Sequence, residues 1–347
     1  MTLKETITAL TKSAKSMRVL YVEDEELIRE NTKMLLESIF GEVVVAQEGQ
    51  EGLQKYQNGT YACVISDILM PRMNGVAMLR AIKAQNPAQH CIVTSACEES
   101  SYLLELINLR ISHFMLKPIQ TQQIIDVLWE VVSIIENEQK AAILSVNEEI
   151  WQAQHEILAL LGEVGETRSH ETGQHVRRVA HYSQLLGELY GLDAHETRLI
   201  YSAAPMHDIG KIGIPDAVLL KNGKLDSHEF GIMQEHSRLG YEILKNSHRP
   251  LLQAAAIIAH EHHERWDGSG YPRGLAGEDI HIYGRIVALA DVFDALSCER
   301  VYKKAWQMEQ ILEYVTREQG KHFDPRLVEL FLTHQEHFLD IAHRLGD

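Results

Sequence analysis

Cys63-Val64-Ile65-Ser66-Asp67-Ile68-Leu69-Met70-Pro71 carries a short apolar run straight into an acid and then a turn. A run that is apolar at successive rather than alternate positions fits a strand buried on both faces. Working outward, similar runs alternate with helical patterns: Val19-Leu20-Tyr21-Val22, Leu27 to Phe40, Val43-Val44-Val45 and Gly49 to Gln57 before it. Val76 to Ala84, Ile92-Val93, Ser101 to Leu109, Phe114-Met115-Leu116 and Ile124 to Ile135 follow it. Strands separated by helices predict an α/β doubly wound parallel sheet of five strands. Such sheets bind ligands beyond the carboxyl ends of their strands, and Glu23, Asp24, Asp67, Ser95 and Lys117 fall at those ends.

This constellation resembles a response-regulator receiver domain, expected over residues 18–135 after an N-terminal extension, 1–17. The resemblance implies phosphorylation of Asp67, a Mg²⁺ pocket built on Glu23 and Asp24, a switch pair in Ser95 and Phe114, and a phosphate-contacting Lys117 before Pro118. It also implies a sensor histidine kinase as phosphodonor.

At 347 residues the chain is long enough for two ordinary domains with separate cores. A net charge of −16 opposes a DNA-binding or anionic-membrane surface, since both require basic patches. No apolar run approaches the ~18 to 20 residues of a membrane span, so no membrane insertion is expected. Cys63, Cys91, Cys97 and Cys298 have no paired spacing and read as inert thiols of a soluble, cytoplasmic protein.

After Gln120 a helical pattern persists through Ile124, Leu128, Val131, Ile135, Ala142, Val146, Ile150, Ile157 and Leu161. Its spacing fits either a homodimeric coiled coil or ordinary core-facing helices, because Glu138 and Gln139 interrupt the seam. Residues 136–150 are expected to be a helical linker and 151–347 an all-α domain.

Of the 19 histidines only His90 and His113 precede residue 150. The later ones include His207-Asp208-Ile209-Gly210-Lys211 and His262-His263, the latter followed by a loop containing Gly268-Ser269-Gly270-Tyr271-Pro272. Imidazole and carboxylate donors without a neighbouring thiolate suit iron, manganese, zinc or nickel. On a helix, Glu171 and His175 would share a face, as would His207 and Lys211. Asp208 would be rotated by about 100° from His207, but its two oxygens could bridge neighbouring metals.

Glu171-Thr172-Gly173-Gln174-His175, the His-Asp pair with Lys211, His236, the paired histidines, Gly270-Tyr271-Pro272, Asp291 and Arg300 through Lys303 together resemble the HD-GYP phosphodiesterases. This resemblance implies a catalytic domain of the HD superfamily that hydrolyses cyclic di-GMP to pGpG or GMP through a metal-bridged hydroxide. The implied metal ligands are Glu171, His175, His207, Asp208, His236, His262, His263 and Asp291, holding two or three divalent ions, iron or manganese ahead of zinc or nickel. Asp208 and Lys211 are the implied catalytic groups, and Lys211, Tyr271, Arg300 and Lys303 the implied substrate contacts. Rival readings are hydrolysis of 3′,3′-cyclic GMP-AMP or pGpG, or a catalytically weak nucleotide-binding adaptor. His260 and the scattered histidines, such as His155, His181 and His322, are expected to be surface or structural.

Overall fold

A computed structural model describes residues 2–96, 100–111, 113–168, 173–298 and 305–346. The chain divides into two units, Met1–Asn147 and Glu148–Asp347. In the first, α1 (Leu3–Ala14), β1 (Arg18–Val22), α2 (Glu26–Ile39), β2 (Glu42–Ala46), α3 (Gly49–Gln57) and β3 (Cys63–Asp67) are followed by α4 (Gly75–Gln85), β4 (His90–Ser95), α5 (Ser100–Asn108) and β5 (His113–Leu116). The five strands are all parallel, in the order β2-β1-β3-β4-β5. Successive connections run to opposite sides of β1, so a crevice opens at its carboxyl end beside that of β3.

The period-2 geometry of a strand sends alternate side chains of β1 to opposite faces. Val19 and Tyr21 join one layer with Ile39, Ile125 and Leu128, while Leu20 and Val22 join the other with Met78, Ile82 and Leu106. Every residue of β3 is buried, as its uninterrupted apolar run requires. The polar amino terminus is part of this core: Thr2 and Glu5 form a capping box on α1, which buries Leu10 and Ala14.

The next helix, α6, runs from Thr121 to Thr167. Its early residues Ile125, Leu128 and Val132 are buried in the first unit, whereas residues 137–150 are all exposed. Beyond it come α7 (Gly173–Tyr190), α8 (Ala194–Ala203), α9 (Asp216–Leu219), α10 (Ser227–Leu244), α11 (Pro250–Glu261), α12 (Ile282–Ser297), α13 (Met308–Arg317), α14 (Pro325–Thr333) and α15 (Gln335–Arg344). Tyr182 on α7, Phe293 on α12, Phe331 on α14 and Phe338 on α15 pack edge to face or stacked, with ring centroids 4.9 to 5.9 Å apart. This aromatic core fixes α7 and α12, which carry His175, Asp291 and Asp294.

The expectation of an α-helix through His207 and Lys211 is corrected. The segment instead forms two short 3₁₀ turns, Ala204–Met206 and Ile209–Gly213, with His207 and Asp208 between them and Lys211 in the second. The turns are closed by three-residue bonds, from His207 N to the Ala204 carbonyl at 3.1 Å and from Lys211 N to the Asp208 carbonyl at 2.9 Å, and a close contact accompanies them. A Cβ on Gly210 would lie 1.9 Å from the His236 carbonyl oxygen, so the glycine lets this segment press against α10. With about three residues per 3₁₀ turn, Lys211 faces Asp208 rather than His207.

Candidate functional site

At the carboxyl edge of the sheet, Glu23, Asp24 and Asp67 each offer an oxygen within 4.8 Å of the others. Arg29 Nη1 donates to the carbonyls of Glu23 and Asp24 at 3.0 and 2.9 Å and so fixes the acidic turn. Lys117 Nζ donates to both Glu23 oxygens at 2.9 and 2.8 Å and to Asp67 Oδ2 at 2.7 Å. Burial raises the Glu23 pKa, and Asp67 adds to the rise against the opposing pull of Lys117. Burial opposes charge on Lys117, yet Asp67 and Glu23 carry its pKa upward. Glu23 and Asp67 share one ammonium, and with Asp24 they form an acidic cluster whose oxygens could hold a divalent cation. Ser95 ends β4, beside β5 with its half-buried Phe114.

In the second unit, the histidines share one orientation rule. His207 Nδ1 donates to the Ala204 carbonyl at 2.9 Å, His236 Nδ1 to Met233 at 2.7 Å, and His262 Nδ1 to Ile258 at 3.0 Å. His175 Nδ1 donates to Asp294 Oδ2 at 2.8 Å. A carbonyl or carboxylate only accepts, so in each neutral ring the proton sits on Nδ1 and the lone pair on Nε2. Four rings held this way form a metal-ready set.

Asp208 stands between them. Its Oδ1 lies 3.0 Å from His236 Nε2 and 3.6 Å from His262 Nε2, and its Oδ2 lies 2.7 Å from Lys211 Nζ and 3.4 Å from His207 Nε2. Two groups of donors result: Asp208 with His236, His262 and His263, and Glu166 with His175 and His207. Asp291 Oδ1 is 3.6 Å from His175 Nε2. His207 Nε2, His262 Nε2 and Asp208 Oδ1 are buried and have no hydrogen-bond partner among the described residues. Such orphaned nitrogen and oxygen donors fit divalent metals.

The electrostatics agree with that fit. Burial disfavours charge on His207, yet Asp208, Asp291 and Glu166 carry its pKa up to about 10. Burial also opposes ionisation of Asp208, but Lys211, His207 and His236 hold it well below the usual carboxylate range. The carboxylates thus create a strong demand for positive charge. His263 is driven the other way, by burial first and then by His262 and His236, which keeps it a neutral donor.

Tyr271 stacks on His263 with ring centroids 4.8 Å apart and meets His236 edge-on at 6.3 Å. Burial, with Asp208 and Asp291 nearby, raises its hydroxyl pKa and keeps it protonated. Of the expected site residues, Glu171, Arg300 and Lys303 lie outside the described residues. The other metal and substrate candidates converge on this cluster.

Residues 19–128 match the model of the response regulator receiver domain, and residues 163–327 that of the HD domain. A cyclic di-GMP phosphodiesterase of Thermotoga maritima is 35% identical over 350 residues, covering 95% of this chain and 94% of the relative. The cyclic di-GMP phosphodiesterase response regulator RpfG of Xanthomonas campestris is 35% identical over 335 residues, covering 92% and 88% respectively. The chain belongs to the receiver–HD phosphodiesterase response regulators. A 3′3′-cGAMP-specific phosphodiesterase 2 of Vibrio cholerae is 50% identical over 199 residues, 57% of this chain, and the chain covers 38% of that relative's length.

In this receiver–HD phosphodiesterase several buried groups escaped sequence reasoning. Asp294 accepts from His175 and, at 2.7 and 3.1 Å, from Arg178, which orients the histidine. Glu264 accepts from the Arg273 and Leu275 amides at 2.8 and 3.0 Å and so shapes the loop that carries Tyr271. Gly270 in that loop is needed for packing, since its Cβ would lie 2.3 Å from the Arg265 nitrogen. Glu166, buried at the end of α6, had no signal that set it apart from the other glutamates of that helix. His260 stacks on Tyr241 at 4.2 Å and belongs to neither donor group.

Proposed function

We propose that this chain hydrolyses the phosphodiester bonds of cyclic di-GMP, under control of Asp67 phosphorylation by a sensor histidine kinase. The observation that carries the reading is the placement of Asp208, one oxygen toward His236 and His262 and the other toward His207 and Lys211. His175, His207, Asp208, His236, His262, His263 and Asp291, with Glu171, would hold two or three divalent ions, iron or manganese first. Bound there, such ions lower the pKa of water and stabilise charge on phosphorus.

The protein's own groups do the rest. Lys211 presents its ammonium beside Asp208, where it can pair with a non-bridging phosphate oxygen. The protonated Tyr271 hydroxyl can donate to the ligand, and Arg300 and Lys303 are assigned to its base or phosphate. Mg²⁺ at Glu23, Asp24 and Asp67 would neutralise the receiver pocket before phosphoryl transfer.

A second substrate, 3′,3′-cyclic GMP-AMP, is favoured by the 50% identity of the HD region to a relative named for that specificity. Incubating metal-loaded protein with cyclic di-GMP, 3′,3′-cyclic GMP-AMP and pGpG separately, and resolving the products by chromatography, tests the reading. Turnover of cyclic di-GMP to pGpG or GMP at the highest rate supports it. Turnover of none of the three points to a nucleotide-binding adaptor instead.

The boundaries 1–17, 18–135, 136–150 and 151–347 are proposed as extension, receiver, linker and catalytic domain. A homodimer through α6 is proposed from the exposed Ile143, Ile150, Ile157 and Val164, which recur at seven-residue spacing.

A further inference from the structure

The carboxyl end of α6 grips the segment that carries Lys211 in two ways. Glu166 is 1% exposed and accepts from Lys211 Nζ at 3.1 and 3.3 Å. Arg168 donates to the carbonyl oxygens of Lys211 at 3.3 Å, Ile212 at 2.6 Å and Ile214 at 3.3 Å, and to Asp216 Oδ1 at 2.5 Å. The side chain of Lys211 is thus pinned between Glu166 and Asp208, and its backbone is pinned by Arg168.

A lysine ammonium sits on a flexible stem and finds a fixed position only where acceptors define one. A carboxylate as buried as Glu166 is costly to maintain without a cation beside it. Each group therefore meets the other's need. We propose that Glu166 and Arg168 are positioning residues for hydrolysis: Glu166 fixes the Lys211 ammonium where it meets a phosphate oxygen, and Arg168 fixes the turn beneath it. The inference rests on the assignment of Lys211 as the phosphate contact. It gives α6, the helix that starts just after Lys117-Pro118, a direct hold on a reacting group.

Glu166 also has an oxygen within 4.8 Å of donor nitrogens on His175 and His207, which suits a metal ligand. The positioning role is preferred because both of its oxygens are engaged by Lys211. The two roles separate by experiment.

Single-turnover hydrolysis of cyclic di-GMP is measured with full-length, metal-loaded protein carrying Glu166→Gln, Lys211→Ala, both together, or Arg168→Ala. Metal per chain is determined on each variant by elemental analysis. The near-isosteric Glu166→Gln guards against loss of the fold if Arg168→Ala is unstable. Glu166→Gln is expected to slow turnover ten-fold or more at unchanged metal content, yet to slow the Lys211→Ala protein less than two-fold, because the two residues act as one unit. Equal slowing in both backgrounds overturns the proposal, as does loss of a metal ion from Glu166→Gln. Wild-type turnover by Lys211→Ala overturns it in a different way, by removing the role assigned to Lys211 itself.

Discussion

Asp294 Oδ2 accepts from His175 Nδ1 at 2.8 Å, and Asp294 Oδ1 accepts from Arg178 Nε at 2.7 Å, so one buried carboxylate both orients the His175 ring and is itself held. Burial opposes its ionisation, and the bonds from His175 and Arg178 lower its pKa below the usual value. Replacing Asp294 with Asn removes the charge that fixes the ring. Supporting carboxylates of this kind are worth about 10- to 100-fold in metal affinity. Chelator competition with the Asp294→Asn protein should show a loss of that size, and an unchanged midpoint would assign Asp294 to packing alone.

Gly210 tests whether the close approach of the His207-Asp208 segment to α10 matters. Adding a methyl 1.9 Å from the His236 carbonyl oxygen forces the two apart. Gly210→Ala is expected to destabilise the HD unit by about 1 to 3 kcal/mol in urea unfolding. Turnover should fall too, since His207, Asp208 and His236 all flank this contact.

His322 carries a pH signature outside the metal cluster. Burial, helped by Arg265, pushes its pKa down to about 4 against the pull of Glu318, Asp267 and Asp291, and its ring stacks on Phe323 at 4.2 Å. Unfolded, the ring titrates near 6.5. The folded state binds fewer protons, so its contribution is intact above about pH 6.5 and is lost as pH falls toward 4. Without screening the shift is worth about 2 kcal/mol at pH 5, and screening of the part-exposed ring leaves a smaller effect. The His322→Phe protein should therefore lose less stability than wild type between pH 7 and pH 5 in urea melts, and parallel pH profiles would contradict this.

Lys117 already pairs with Asp67 and Glu23, at the position proposed for phosphorylation. A phosphoryl group at Asp67 competes for that ammonium, and coupled sites typically differ by ~1 to 3 kcal/mol. Adding beryllofluoride with Mg²⁺ should change turnover several-fold or more in wild type and leave Asp67→Ala unaffected. Unchanged turnover, oligomeric state and nucleotide affinity after demonstrated binding would remove the receiver from control.

Much of this architecture was legible from periodicity. The uninterrupted run Cys63 to Ile65 became the fully buried central strand, and the acids after β1 and β3 fell at the crevice. His175, His207, Asp208, His236, His262 and His263, expected from the family resemblance, lie in two side-chain groups that could hold a metal ion. What stayed hidden depends on tertiary contact. Glu166 gains its role from Lys211, forty-five residues away, and Asp294 from His175 at a separation of 119. The 3₁₀ turns at His207 were hidden as well, because local spacing cannot reveal that Gly210 abuts α10. Leu10 and Ala14 lie in a helix too polar overall to announce that it belongs to the core.

The central claim is that Asp208 joins two groups of metal donors into one hydrolytic site. Its most direct test is cyclic di-GMP hydrolysis by wild-type and Asp208→Ala protein, each measured after chelation and again after reloading with iron or manganese. Wild type should lose activity on chelation and regain it on reloading, while Asp208→Ala stays inactive at every metal concentration with its receiver still folded. Hydrolysis at the wild-type rate by metal-depleted Asp208→Ala protein would contradict the account.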